Sequence, residues 1–186
     1  QIELVPDRPS YAPGQVATLL VKAPFGGTAV VGIERNRVFD SYTTNLSGNA
    51  MAVRVPILSD YTPNVFVSVF LARGAADNPH QVKEPEYRVG YRALSVEHPQ
   101  TRLTLQTAPE QSDFRPGETV SIAGTVRDYR GEPVADTEVV CYAVDEGILS
   151  LTGYDTPAPE AFFWEPRGLA VFGYSSLPSL LSEDLV

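Results

Sequence analysis

Few residues in this chain could do chemistry, and their spacing argues against catalysis. His80 and His98 are its histidines, each beside a proline in a loop. Neither has a serine or cysteine motif placed to use it as a general base. They read as ordinary loop histidines, outside any triad or metal site. Asp145-Glu146 could suggest an acid/base pair. Neighbours in a helix do not face each other, however, and Asp145 suits a helix N-cap better. Gly26-Gly27 lacks the lysine and the helix-opening Ser/Thr of a phosphate loop. Cys141 is the single cysteine, which excludes an internal disulfide and a cysteine-based metal site; within an apolar run it reads as an inert core thiol. No catalytic residue, metal ligand set or cofactor is expected.

The elements holding these residues show themselves by repetition. Pro6-Asp7-Arg8-Pro9-Ser10-Tyr11-Ala12-Pro13-Gly14-Gln15 returns as Pro109-Glu110-Gln111-Ser112-Asp113-Phe114-Arg115-Pro116-Gly117-Glu118. The aromatic, the Pro-Gly and the polar residue after it keep their spacing, at an offset of about one β-sandwich length. Each copy lies between short alternating runs, as a strand, a Pro-Gly turn and a second strand would. Sixteen prolines and fourteen glycines scattered among such runs predict β-structure throughout. Strands are expected near Ile2 to Pro6, Val16 to Ala23, Gly27 to Arg35, Val38 to Thr44, Ala50 to Pro56, Val65 to Arg73 and Tyr87 to Val96. Glu34-Arg35-Asn36-Arg37 reads as a polar hairpin. Val65, Val67, Val69 and Leu71 share one face by period two, and Phe66 and Phe70 the other, so this strand should be central and covered on both sides.

Beyond Glu97-His98-Pro99-Gln100, strands are expected near Arg102 to Thr107, Thr119 to Asp128 and Glu138 to Val144. A helical turn follows, capped by Asp145 and stopped at Gly153. Three strands make a poor sandwich, so the second domain is expected to be incomplete. The organisation is all-β: a sandwich over 1–98, a partial one over 99–164, and a flexible strip over 165–186. The formal charge of −9, from 14 Lys plus Arg against 23 Asp plus Glu, and the lack of a basic run disfavour nucleic acid. No long apolar segment predicts membrane contact by this stretch. The chain opens directly in a strand and reads as a piece of a longer protein.

Tyr142-Ala143-Val144-Asp145-Glu146-Gly147-Ile148-Leu149-Ser150-Leu151-Thr152-Gly153-Tyr154 resembles the segment before the bait region of bacterial alpha-2-macroglobulins. Tyr11-Ala12-Pro13-Gly14-Gln15, Ala23-Pro24-Phe25, Asn45-Leu46-Ser47-Gly48-Asn49, Pro63-Asn64-Val65-Phe66-Val67-Ser68-Val69 and Val89-Gly90-Tyr91 resemble the macroglobulin-like domain preceding it. The likeness reaches to about Phe163. It implies tandem macroglobulin-like sandwiches of immunoglobulin or fibronectin type, framing a bait that target endoproteases cut. It also implies a periplasmic protease trap, often tethered to the inner membrane, and in many members a thioester. Cys141 is followed by Tyr142-Ala143-Val144, not by the thioester pattern, so it does not inherit that role. Asn45-Leu46-Ser47 fits a glycosylation acceptor, but the bacterial origin that the resemblance implies makes it an ordinary turn.

A susceptible segment must lack stable packing and ladder hydrogen bonds. Prolines between Tyr154 and Val186 oppose regular structure. The side chains that follow would suit several specificity pockets: Arg167 for trypsin-like enzymes, Leu169, Phe172, Tyr174 and Leu177 for chymotrypsin-like ones, Ala170 and Val171 for elastases. Phe162 to Trp164 are expected in a core; whether Phe172 joins them or belongs to the bait stays open. Two other functions fit tandem immunoglobulin-like domains: a binding or adhesion module of an envelope protein, and an accessory pair of a secreted hydrolase.

Overall fold

The computed structural model describes residues 1–75, 85–111, 114–115 and 117–174. They fall into two units: Gln1–Glu97 with the tail from Pro166, and His98–Glu165.

The first unit is built by alternation. Its strands are β1 (Glu3–Pro6), β2 (Ser10–Tyr11), β3 (Val16–Lys22), β4 (Gly27–Glu34), β5 (Val38–Leu46), β6 (Ala50–Pro56), β7 (Asn64–Arg73) and β8 (Glu86–Val96). They make one sheet in the order β1-β3-β6 and a second in the order β2-β8-β7-β4-β5. The two-residue β2 runs parallel to β8; it is too short to carry a period, and sequence reasoning missed it. Leu19 and Val21 on β3, Val53 and Val55 on β6, and Val65, Val67, Val69 and Leu71 on β7 close the core between the sheets. Each such side chain contributes about 1.5–3 kcal/mol by leaving water. β7 lies between β8 and β4, the central position its apolar run predicts. Phe66 and Phe70 are half-buried on its outer face, where Phe70 stacks on Tyr87 with ring centroids 5.5 Å apart. Gly90 sets how closely β1 approaches β8: a Cβ there would stand 2.8 Å from the Cβ of Ile2.

The sequence repeat is a structural repeat. Gly14 and Gly117 have φ of 89° and 88°, the left-handed region that a type II turn requires at its third position. In the first copy the Gln15 N–H donates to the Ala12 carbonyl at 3.1 Å, and the Ala12 N–H donates back to Gln15 Oε1 at 3.1 Å. In the second the Glu118 N–H donates to the Arg115 carbonyl at 3.0 Å, and the Arg115 N–H donates to Glu118 Oε2 at 2.8 Å. The residue after each glycine closes its own turn.

In the second unit, β9 (Thr104–Pro109) and β10 (Ile122–Arg127) pair antiparallel. Helix α1 (Glu146–Thr152) begins at Asp145, whose carboxylate accepts the Gly147 N–H, and ends at Gly153 in the left-handed conformation with φ of 60°. Helix α2 (Pro159–Phe163) starts on a proline, a position that needs no N–H. The strand expected over Glu138 to Val144 does not form. Its apolar run has no partner among the described residues, and a strand without a neighbour leaves its N–H and C=O groups unpaired. Cys141 is accordingly exposed and not a core thiol. Phe162 and Phe163 are also exposed, at 76% and 69%. Among the described residues, every buried residue of the core lies within 2–96; one antiparallel pair encloses no interior in which these rings could bury.

Candidate functional site

The site begins with one buried arginine. Arg35 follows β4, in the turn that reads as polar, yet it is only 6% exposed. Its guanidinium donates from Nη1 to the carbonyls of Tyr61, Thr62 and Asn64 at 3.1, 2.8 and 3.0 Å, and from Nη2 to that of Asp60 at 3.2 Å. The planar fork of donors thereby ties the segment 60–64 into one shape, with Thr62–Pro63 cis. Burial is the largest influence on Arg35 and lowers its pKa; the cations of Arg167 and Arg37 act in the same direction, against Asp60.

This arrangement presents the side chain of Asn64, itself 4% exposed. A primary amide carries a donor and an acceptor on one edge, like a peptide group. Asn64 uses both on a single residue 103 positions away: Nδ2 donates to the Arg167 carbonyl at 2.9 Å, and Oδ1 accepts the Arg167 N–H at 2.7 Å. Three residues on, the Ala170 N–H donates to the Arg35 carbonyl at 2.7 Å. The same two residues that shape the 60–64 turn therefore hold the tail.

The tail then runs over the outer face of the five-stranded sheet. Gly173 and Tyr174 line a cleft of about 250 Å³ with Phe70, Tyr87, Val89 and Tyr91. A Cβ on Gly173 would stand 3.7 Å from the Tyr91 hydroxyl. The candidate cleavage residues are thus not equivalent. Arg167 has an exposed side chain on a hydrogen-bonded backbone, and Leu169 and Val171 are half-buried. Ala170 is exposed with its N–H engaged. Phe172 and Tyr174 are 93% and 88% exposed. Leu177 lies outside the described residues.

His98 stacks on Trp164 with centroids 4.6 Å apart, and its Nδ1 lies 3.1 Å from Thr101 Oγ1. Glu160 accepts from Arg102 Nη2 at 2.8 Å, which holds its carboxyl below the usual range. His80 lies outside the described residues. Among the described residues no three His, Cys, Asp or Glu groups could hold a metal ion, and no helix is long and apolar enough to cross a membrane.

The first unit is thus a β-framework that carries a hydrogen-bonded tail, fixed at Arg167 and Ala170. The family model for the alpha-2-macroglobulin bait region domain matches residues 2–151, and the chain belongs to that family. An alpha-2-macroglobulin homolog of Nostoc is 25% identical over 84% of this chain and 8% of its own length. The alpha-2-macroglobulin of Xylella fastidiosa is 24% identical over 94% of this chain and 10% of its own. In fold the chain is similar to the native conformation of E. coli alpha-2-macroglobulin, with a TM-score of 0.55 and 19% identity over 90% of this chain and 10% of that one. Salmonella alpha-2-macroglobulin reacted with methylamine gives 0.53 and 19%, over 91% and 11%. The chain spans about a tenth of the length of these relatives.

Proposed function

We propose that this chain is the framing and trigger segment of a periplasmic protease trap. The match of the bait region domain to residues 2–151 carries the reading. The first sandwich is the rigid frame, and the strip over 165–186 is the bait, or the flank of the bait, that a target endoprotease cuts. Phe172 and Tyr174, standing almost fully in solvent, support that use, since a protease must draw an extended stretch into its cleft. The chain contributes no catalytic group. Its partners are endoproteases, met by the full-length protein.

An adhesion module would instead call for a complete second sandwich with ordered loop tips. Among the described residues, 98–165 forms one strand pair and buries none of its side chains.

Enclosure has a kinetic signature. After incubation with the full-length protein, an endoprotease should lose most activity on a large protein substrate while keeping it on a small chromogenic peptide. Equal inhibition of both would point to a blocked active site and contradict a trap; no inhibition of either would also reject it.

A further inference from the structure

The strip over 165–186 holds one basic residue, Arg167. A trypsin-class enzyme cutting within these residues would take that side chain in its pocket and cut Arg167–Gly168. Such enzymes bind the chain extended, through backbone hydrogen bonds, with the carbonyl of the scissile residue in the oxyanion hole. They therefore need the carbonyl and the N–H of Arg167 free. Both are taken: Asn64 donates to the one at 2.9 Å and accepts from the other at 2.7 Å. Moving the residue into a cleft also strains the Ala170–Arg35 bond at 2.7 Å. Among the described residues, none pairs with the backbone of residues 171–174, and the side chains of Phe172 and Tyr174 stand in solvent.

We infer that Asn64 is a specificity-determining residue: it withholds the Arg167–Gly168 bond from trypsin-class proteases, while the neighbouring bonds at Phe172 and Tyr174 stay open to enzymes that accept an aromatic side chain. This rests on the strip being bait or bait flank, and it narrows which enzymes can cut these residues. Arg167 offers the side chain such a protease seeks, on a backbone it cannot grip. Two net hydrogen bonds of ordinary strength suppress the open form roughly ten- to thirtyfold.

The test maps cuts in the full-length protein by mass spectrometry, using limiting trypsin and limiting chymotrypsin. In the wild type, chymotrypsin should cut after Phe172 or Tyr174 well before trypsin cuts after Arg167. Asn64→Ala should speed the trypsin cut about tenfold or more and change the chymotrypsin cut less than about twofold. Equal trypsin rates in wild type and variant would overturn the inference. Should Asn64→Ala unfold the sandwich, amide hydrogen exchange in the wild type decides: the Arg167 N–H should exchange at least about tenfold slower than that of Phe172, and equal exchange would overturn the clamp. The bait reading fails separately, if neither enzyme cuts wild-type residues 165–186; the clamp would still stand if Asn64→Ala then opened Arg167 to trypsin.

Discussion

At the scale of single residues, two polar groups organise the first unit. Arg35 satisfies four carbonyls from a buried position, so its removal leaves acceptors unpaired where water is excluded. Arg35→Ala should cost about 3 kcal/mol or more in urea unfolding, and Arg35→Lys should recover little because an ammonium cannot reproduce the fork. Asp7 is the second. Its Oδ1 accepts from the Tyr11 hydroxyl at 2.6 Å and the Thr18 N–H at 2.9 Å, and these bonds, the tyrosine's first, hold its pKa below the ordinary 3.8. The folded state thus binds this proton less readily than the unfolded chain. Its contribution is complete above pH 3.8 and is lost as pH falls through the lower folded value. Asp7→Asn should flatten that acid limb of the stability curve, measured as unfolding midpoint against pH; an unchanged limb would remove Asp7 from the account. The Pro-Gly turns could be read from sequence because their chemistry is local, with the glycine and its closing side chain within four positions. The Asn64–Arg167 clamp could not. An asparagine before an apolar strand carries no mark of a partner 103 residues away, and Arg35 looked solvated because charge suggests a surface until a ring of carbonyls receives it.

At the scale of elements, period-two alternation located seven strands of the first unit, most of them with one buried face; the edge strand β5 buries only Leu46. The same logic gives the cost of disturbing them. Leu71→Ala, in the centre of β7, should lose about 2–5 kcal/mol. Gly90→Val should destabilise by about 1–3 kcal/mol, since its side chain would be driven into Ile2 and Leu4; both are measurable by denaturant titration, and a neutral Gly90→Val would show that β1 can move aside. Helix α1 was legible from its cap and its glycine, two local signals that survive without packing. The expected strand at Glu138 to Val144 failed for the opposite reason. An apolar run proposes a strand, but only a neighbouring strand completes it, and the described residues of the second unit supply just β9 and β10.

At the scale of the whole molecule, burial is lopsided. Among the described residues the whole core lies within 2–96, while Val140, Leu151, Phe162 and Phe163 in 98–165 stay open to solvent. A peptide of residues 98–165 alone should therefore show no cooperative unfolding transition, because one strand pair and two short helices cannot offset their ordering entropy. The tail's association with the first unit rests on main-chain bonds that composition does not encode, which is why a proline-rich run read only as irregular. It is held at Arg167 and Ala170 and exposes Phe172 and Tyr174.

The measurement that bears most directly on the trigger is the position of the first cut in the full-length protein under limiting chymotrypsin, read by intact-mass analysis. The account predicts a single early cleavage within residues 165–186, at Phe172, Tyr174 or beyond, while the first sandwich stays whole. Early nicks scattered over the sandwich loops, with 165–186 intact, would contradict it.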